Sequence, residues 1–195
     1  LMALDAPDRV VGVHMGMVSL SAHPRSRPPP TPERADYAAA RKAWANRELG
    51  YVALQGSKPQ TLAHSLNDSP VGLAAWIVEK FRAWSDSNGD VESRFSKDEL
   101  IDNLMLYWVT GTAPASARMY YDFVREPLTA GRLERPVGML MSTKDLFPPA
   151  PREFGARLFN VQHWAETDVG GHFLEWEEPE LVARDMQTFF GALTR

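Results

Sequence analysis

Val137-Gly138-Met139-Leu140-Met141, followed at once by Ser142-Thr143-Lys144-Asp145, is the stretch on which the fold turns. Five apolar or small residues in a row read as a compact strand, and the polar residues after it as the loop at its carboxyl end. In sheets of parallel strands that end is where functional groups collect, so Asp145 stands in a position of interest before any other residue is considered. Downstream, Pro151 to Leu158 suits a short helix and Leu158 to Trp164 a second strand. Pro179 to Leu193 carries Leu181, Met186, Phe189 and Phe190 at helical spacing and reads as a closing helix.

Working upstream, the pattern is helical over a long span. Thr31-Pro32-Glu33 offers an N-cap hydroxyl, proline at the first helical position and acid in the first turn, and Gly50 is the expected end of that helix. Asn67-Asp68-Ser69-Pro70 starts another, in which Leu73, Ile77, Phe81 and Trp84 share one face. Asn88-Gly89 marks a turn, and Ser96-Lys97-Asp98-Glu99 is a capping box ahead of the stripe Leu100, Leu104, Trp108. Residues 32 to 125 are therefore expected to be helical. Before them, Val10 to Leu20 reads as a buried strand, and Ser21 to Pro30, dense in proline, as an exposed excursion.

Strand, helical insertion, strand, helix, strand, loop, helix is the order of the late half of an α/β layered core with a helical cap inserted. The expected division is 1–22 for a core segment, 23–130 for the cap and 131–195 for the rest of the core.

Composition sets the outer limits. The 195 residues are 44% hydrophobic, 10% aromatic and 24% charged, the balance of a chain that folds around a core rather than a disordered or fibrous one. Twenty-one Lys and Arg against 25 Asp and Glu leave a net charge of −4, so no basic field exists for nucleic acid or an anionic membrane, and membrane association is not expected of this part. A small polar or apolar ligand is the expected partner, and the cytoplasm the expected location. With no cysteine, disulfides, a thiolate nucleophile and Cys-ligated zinc are excluded. No metal is expected either: His14, His23, His64, His163 and His172 show neither i, i+4 pairing nor an HExxH pattern.

The strongest local signal is Gly170-Gly171-His172-Phe173, between the last strand and the last helix. Paired glycines let the backbone pass close to a ligand and present the imidazole that follows, which can move a proton near neutral pH. A plain turn with a surface histidine is the simpler reading of those four residues. Asp145 precedes His172 by one strand-helix-strand unit, and an acid followed by a histidine is the chain order that α/β hydrolases use after their nucleophile. Asp168 and Glu175 are the alternative partners for the imidazole, and Asp145 could instead be a turn or N-cap residue.

Several ordered motifs resemble one family. Gly50-Tyr51-Val52-Ala53-Leu54-Gln55-Gly56-Ser57-Lys58-Pro59-Gln60-Thr61 and Leu66-Asn67-Asp68-Ser69-Pro70-Val71-Gly72-Leu73-Ala74-Ala75-Trp76-Ile77-Val78-Glu79-Lys80-Phe81 are similar to the cap of microsomal-type epoxide hydrolases. So are Tyr107-Trp108-Val109-Thr110-Gly111-Thr112, Arg118-Met119-Tyr120, and Gly170-Gly171-His172-Phe173 with Glu177-Glu178-Pro179-Glu180-Leu181. The resemblance covers nearly the whole chain; the proline-rich stretch matches least. It implies an α/β-hydrolase core, an epoxide hydrolysed to a vicinal diol through an aspartyl ester, and no cofactor. It also implies that His172 is the general base, Asp145 the acid orienting it, and Tyr51 and Tyr120 the donors to the epoxide oxygen. Tyr37, Tyr107 and Tyr121 are expected only to pack. Trp108, Leu146 and Phe173, with Trp76, are candidates to line an apolar pocket, although packing serves each tryptophan equally well.

The same resemblance exposes a gap. The family's nucleophile is an aspartate on a strand-turn-helix elbow. Leu1 to Pro7 reads as the last turns of the helix after that elbow, which places the nucleophile about ten residues earlier, one helix length away. Asp5 and Asp8 sit in the wrong context, past the helix and before a strand. The expectation is a chain inactive alone, with a small apolar epoxide and water as partners in the intact enzyme and a homo-oligomer from the exposed sheet edge. A haloalkane dehalogenase or esterase relative, sharing acid and histidine, and a non-catalytic binding remnant are the competing readings.

Overall fold

The computed structural model describes residues 2–18, 32–126 and 131–194. In chain order these form α1 (Met2–Asp5), β1 (Val13–Met15), α2 (Pro32–Glu48), α3 (Gly50–Ser57), α4 (Pro59–Asp68) and α5 (Pro70–Trp84). Then come α6 (Lys97–Thr110), α7 (Ala113–Arg125), β2 (Leu133–Ser142), α8 (Arg152–Leu158), β3 (Phe159–Thr167), α9 (Leu174–Glu177) and α10 (Pro179–Leu193). The proline-rich stretch and the Thr31 hydroxyl lie outside the described residues. The chain divides into two compact units, 1–42 with 128–195, and 43–127.

In the first unit the sheet has the order β1-β2-β3, with both neighbouring pairs parallel. Its centre is β2, buried from Val137 to Ser142. Val137, Met139 and Met141 join one core cluster with Phe154, Ala150 and Val18, whereas Leu140 meets Leu174 and Val182 in another. Alternate side chains thus feed two cores, which is why this strand reads as an unbroken apolar run. Gly138 fills the remaining position because a Cβ there would stand 2.7 Å from the ring of Phe189.

Two sequence expectations change. Of the expected strand Val10 to Leu20 only Val13–Met15 pairs, although Val18 is 1% exposed, and Ser19 and Leu20 lie outside the described residues. Apolar runs report burial, and burial does not require ladder hydrogen bonds. Gly50, expected to end a helix, begins α3 instead. The amide of Leu49 bonds Ala45 and that of Ala53 bonds Leu49, so the two helices abut with no unpaired turn needing a glycine cap.

Tyr37, expected to pack in the cap, belongs to the core unit. Its ring meets Phe147 at 5.9 Å and Phe154 at 5.7 Å, both edge-on, so the first part of α2 is held by core residues. The division between units accordingly falls inside α2, and the expected boundary near residue 23 lies outside the described residues.

The second unit is helical throughout, as expected. Pro59 and Pro70 stand at helix starts, Ser69 accepts from the Gly72 amide at 3.0 Å, and Ser96 and Glu99 form the reciprocal capping box. Leu66, Leu73 and Ala113 form its core, with Trp76, Tyr107 and Trp108 packed against them. Among the described residues no helix is long and apolar enough to cross a membrane.

Candidate functional site

Ser142 ends β2, and the chain then turns so that Asp145 comes back over the carboxyl end of the sheet. One oxygen of Asp145 accepts from the Leu146 amide at 2.6 Å and from His172 Nδ1 at 2.9 Å. The backbone bond fixes the carboxylate and the carboxylate fixes the ring. Asp145 is therefore the acid that meets His172, and the other acids weighed from sequence, Asp168 and Glu175, do not take that bond.

The loop that carries His172 is held by two devices. Gly170 has φ +74°, a conformation open mainly to glycine, and a Cβ there would lie 2.5 Å from Leu174 Cδ1. The Ser142 hydroxyl donates to the Gly170 carbonyl, tying this loop to the end of β2. That hydroxyl is committed to structure, and the Lys144 amide donates to it at 3.0 Å. Phe173 meets the His172 ring edge-on at 5.3 Å, and its amide donates to Glu177.

Asp145 and His172 line a cavity of about 210 Å³ together with Gly16, Met17, Ser142, Gly171, Leu174 and Glu175. Of the other expected lining residues, Leu146 contributes its amide to Asp145, and Trp108 packs in the helical core. Glu175 was weighed only as a substitute partner for the imidazole; the cavity shows it beside the pair instead.

In the helical unit the two tyrosines singled out by resemblance meet each other. The rings of Tyr51 and Tyr120 are 5.6 Å apart and nearly perpendicular. Burial is the main reason that both phenols are pushed above the usual tyrosine range; their mutual hydrogen bond raises Tyr51 further and lowers Tyr120. Both stay protonated, and so remain donors, through neutral pH. Lys80 sits 5.3 Å from the Tyr51 ring centre and 5.1 Å from that of Trp84, held by Glu48 at 3.4 Å and Glu79 at 2.8 Å. Tyr107 and Tyr121 pack as expected, the latter under the Arg125 guanidinium at 3.3 Å.

A second histidine assembly escaped the sequence reading. His14 of β1 and His163 of β3 both reach Asp185 of α10, through Nε2, at 2.7 and 2.8 Å. Nothing in sequence joins residues 171 positions apart, beyond the register that sets both histidines beside Gly138. Among the described residues no group of three or more His, Asp or Glu is arranged to hold a metal ion.

No protein-family model matches the chain. It is 37% identical over 188 residues to a Stigmatella aurantiaca protein that carries an epoxide hydrolase assignment, covering 96% of this chain and 42% of that one. It is 37% identical to epoxide hydrolase 1 of Sus scrofa, over 75% of this chain and 35% of the other. The structure superposes on juvenile hormone epoxide hydrolase from Bombyx mori with a TM-score of 0.84 at 28% identity, over 99% of this chain and 51% of that one. The chain thus spans less than half the length of the curated relatives it matches.

Proposed function

We propose, for a chain that belongs to the epoxide hydrolases of the α/β-hydrolase fold, that it supplies the acid, the base and the oxygen donors of an epoxide-opening site. The observation that carries this reading is the Asp145–His172 bond at the carboxyl ends of parallel strands. With Nδ1 donating to the carboxylate, the lone pair of the imidazole sits on Nε2, and the carboxylate stabilises the imidazolium that forms when Nε2 takes a proton.

The chemistry follows in two steps. A carboxylate attacks one ring carbon of the epoxide, the carbon–oxygen bond breaks, and the oxygen leaves as an alkoxide that takes a proton from a phenol. His172 then removes a proton from water, the hydroxide adds to the ester carbonyl, the ester carbon–oxygen bond breaks as the imidazolium returns its proton to the leaving oxygen of the diol, and the proton of the regenerated carboxyl group restores the phenol. Tyr51 and Tyr120 are assigned as the donors, because buried phenols that resist ionisation are protonated when the alkoxide needs them.

The attacking carboxylate is assigned to residues other than those described. Asp145 is taken up by His172 and Leu146, and Asp5 and Asp8 lie before β1. The 195-residue chain alone is accordingly expected to release no diol from styrene oxide, whatever its location or assembly. Turnover that disappears in His172→Ala would overturn this assignment. In a full-length hydrolase carrying this segment, Tyr51→Phe with Tyr120→Phe is expected to lower kcat by about 10³ or more, since one oxyanion donor alone is worth roughly 10² to 10³. Unchanged kcat would remove the tyrosines from the reaction.

A further inference from the structure

The helical unit holds a cation that the mechanism above does not use. Lys80 and Trp84 stand one turn apart on α5 and so share a face. The Lys80 ammonium lies 5.3 Å from the centre of the Tyr51 ring and 5.1 Å from that of Trp84. Two carboxylates hold it there, Glu79 at 2.8 Å and Glu48 at 3.4 Å. Glu48 Oε2 also accepts from Trp84 Nε1 at 3.3 Å, so one acid fixes both the cation and the indole. The Lys80 side chain is 22% exposed, which leaves most of it out of water.

The Tyr51 ring is enclosed by this group. Trp84 packs on it at 5.5 Å, tilted, and Tyr120 at 5.6 Å, edge-on. Glu48 ends α2 three residues before Tyr51 in α3, the spacing of neighbours on a helix surface, and the two helices abut there. Burial, Tyr120 and Glu48 all oppose negative charge on the Tyr51 oxygen. Yet a phenol that gives its proton to an alkoxide must carry that charge until it is restored. A cation on the ring face is attracted to the phenol and more strongly to the phenolate, so Lys80 works against the other three.

We propose that Lys80 is a positioning residue for ring opening: its ammonium, set against the Tyr51 ring by Glu48 and Glu79, holds that phenol in place and favours the negative charge that moves onto it. The inference rests on the reading of Tyr51 as a donor. In the step itself the O–H bond of Tyr51 breaks, an O–H bond forms on the former epoxide oxygen, and the electron pair stays on the phenolate. Lys80 keeps its own protons and acts only through Tyr51. The charge carries the effect, so an arginine in its place retains most of it and an uncharged chain of similar length does not.

The test is a double-mutant cycle in a full-length hydrolase carrying this segment, with enzyme in excess over styrene oxide so that ester formation and ester hydrolysis are timed separately. Lys80→Met is expected to slow ester formation about tenfold, the scale of a partly desolvated cation–π contact, and to leave ester hydrolysis within about twofold. Lys80→Arg is expected to keep ester formation within about threefold of the parent. In a Tyr51→Phe background, which keeps the ring and removes the hydroxyl, Lys80→Met is expected to change ester formation by less than about twofold. An equal loss with and without the Tyr51 hydroxyl would reduce Lys80 to packing and overturn its role, as would unchanged ester formation in Lys80→Met. No effect of Tyr51→Phe alone would instead remove the tyrosine from the reaction, and Lys80 with it. Should a thermal melt show that Lys80→Met does not fold, Lys80→Gln carries the same expectations.

Discussion

The core unit contains two histidine–aspartate assemblies built from the same chemistry in different surroundings. At the strand ends, His172 offers Nδ1 to Asp145, and both residues border a cavity. Below, His14 and His163 offer Nε2 to the two oxygens of Asp185, so one carboxylate joins β1, β3 and α10. Phe189, one turn beyond Asp185, lies 6.2 Å from the His14 ring and 6.1 Å from the His163 ring, in the space that Gly138 leaves open. The His14 side chain is 8% exposed and that of His172 26%. A bond between imidazole and carboxylate is therefore no mark of catalysis in itself. What separates the two is which ring nitrogen is spent and whether the other side of the ring meets packed side chains or a cavity.

The comparison breaks most sharply at Asp185. Asp185→Ala removes both acceptors at once from two partly buried histidines and is expected to cost about 3 kcal/mol, within the range for opening a buried polar network. For a chain of this size that lowers Tm by roughly 6 to 12 °C in a thermal melt. A loss as small as that from an exposed ion pair would mean that the clamp does not hold the sheet to α10.

Gly138→Ala tests the same assembly from beneath. A Cβ at 2.7 and 2.8 Å from the Phe189 ring must displace it, along with the two histidines beside it, at an expected cost of about 2 kcal/mol in urea denaturation. Asp145→Ala should be the mildest of the three, about 1 kcal/mol or less, because the bonds it loses lie beside a solvent cavity rather than within a core. If Asp145→Ala destabilised the chain more than Asp185→Ala, the division into a structural clamp and a site pair would be reversed.

Much of this was legible in the chain itself. Ser69 and Ser96 announce their helices because capping is local, satisfied within three or four residues. The closing helix, Pro179–Leu193, matches its apolar spacing at both ends. The acid and the histidine were also readable, because a strand end and a glycine-marked loop each place one residue in a known relation to a parallel sheet. Other features could not be read. β1 looked long because apolar residues such as Val18 are buried without pairing, and Tyr37 looked like a cap residue because a helix does not say what it packs against. The partners of His14 and His163 depend on three strands lying side by side.

The sequence by itself determined where most helices begin and end, and that a histidine and candidate acids would gather at the strand ends. Those choices rest on hydrogen bonds and apolar periodicity within a few residues of chain. Only the tertiary structure decided that Asp145 rather than Asp168 or Glu175 takes the imidazole, that Glu175 shares its cavity, and that Asp185 closes on two histidines. Each depends on distances between segments remote in sequence, which the parallel register and the packing of α10 set and no local pattern encodes.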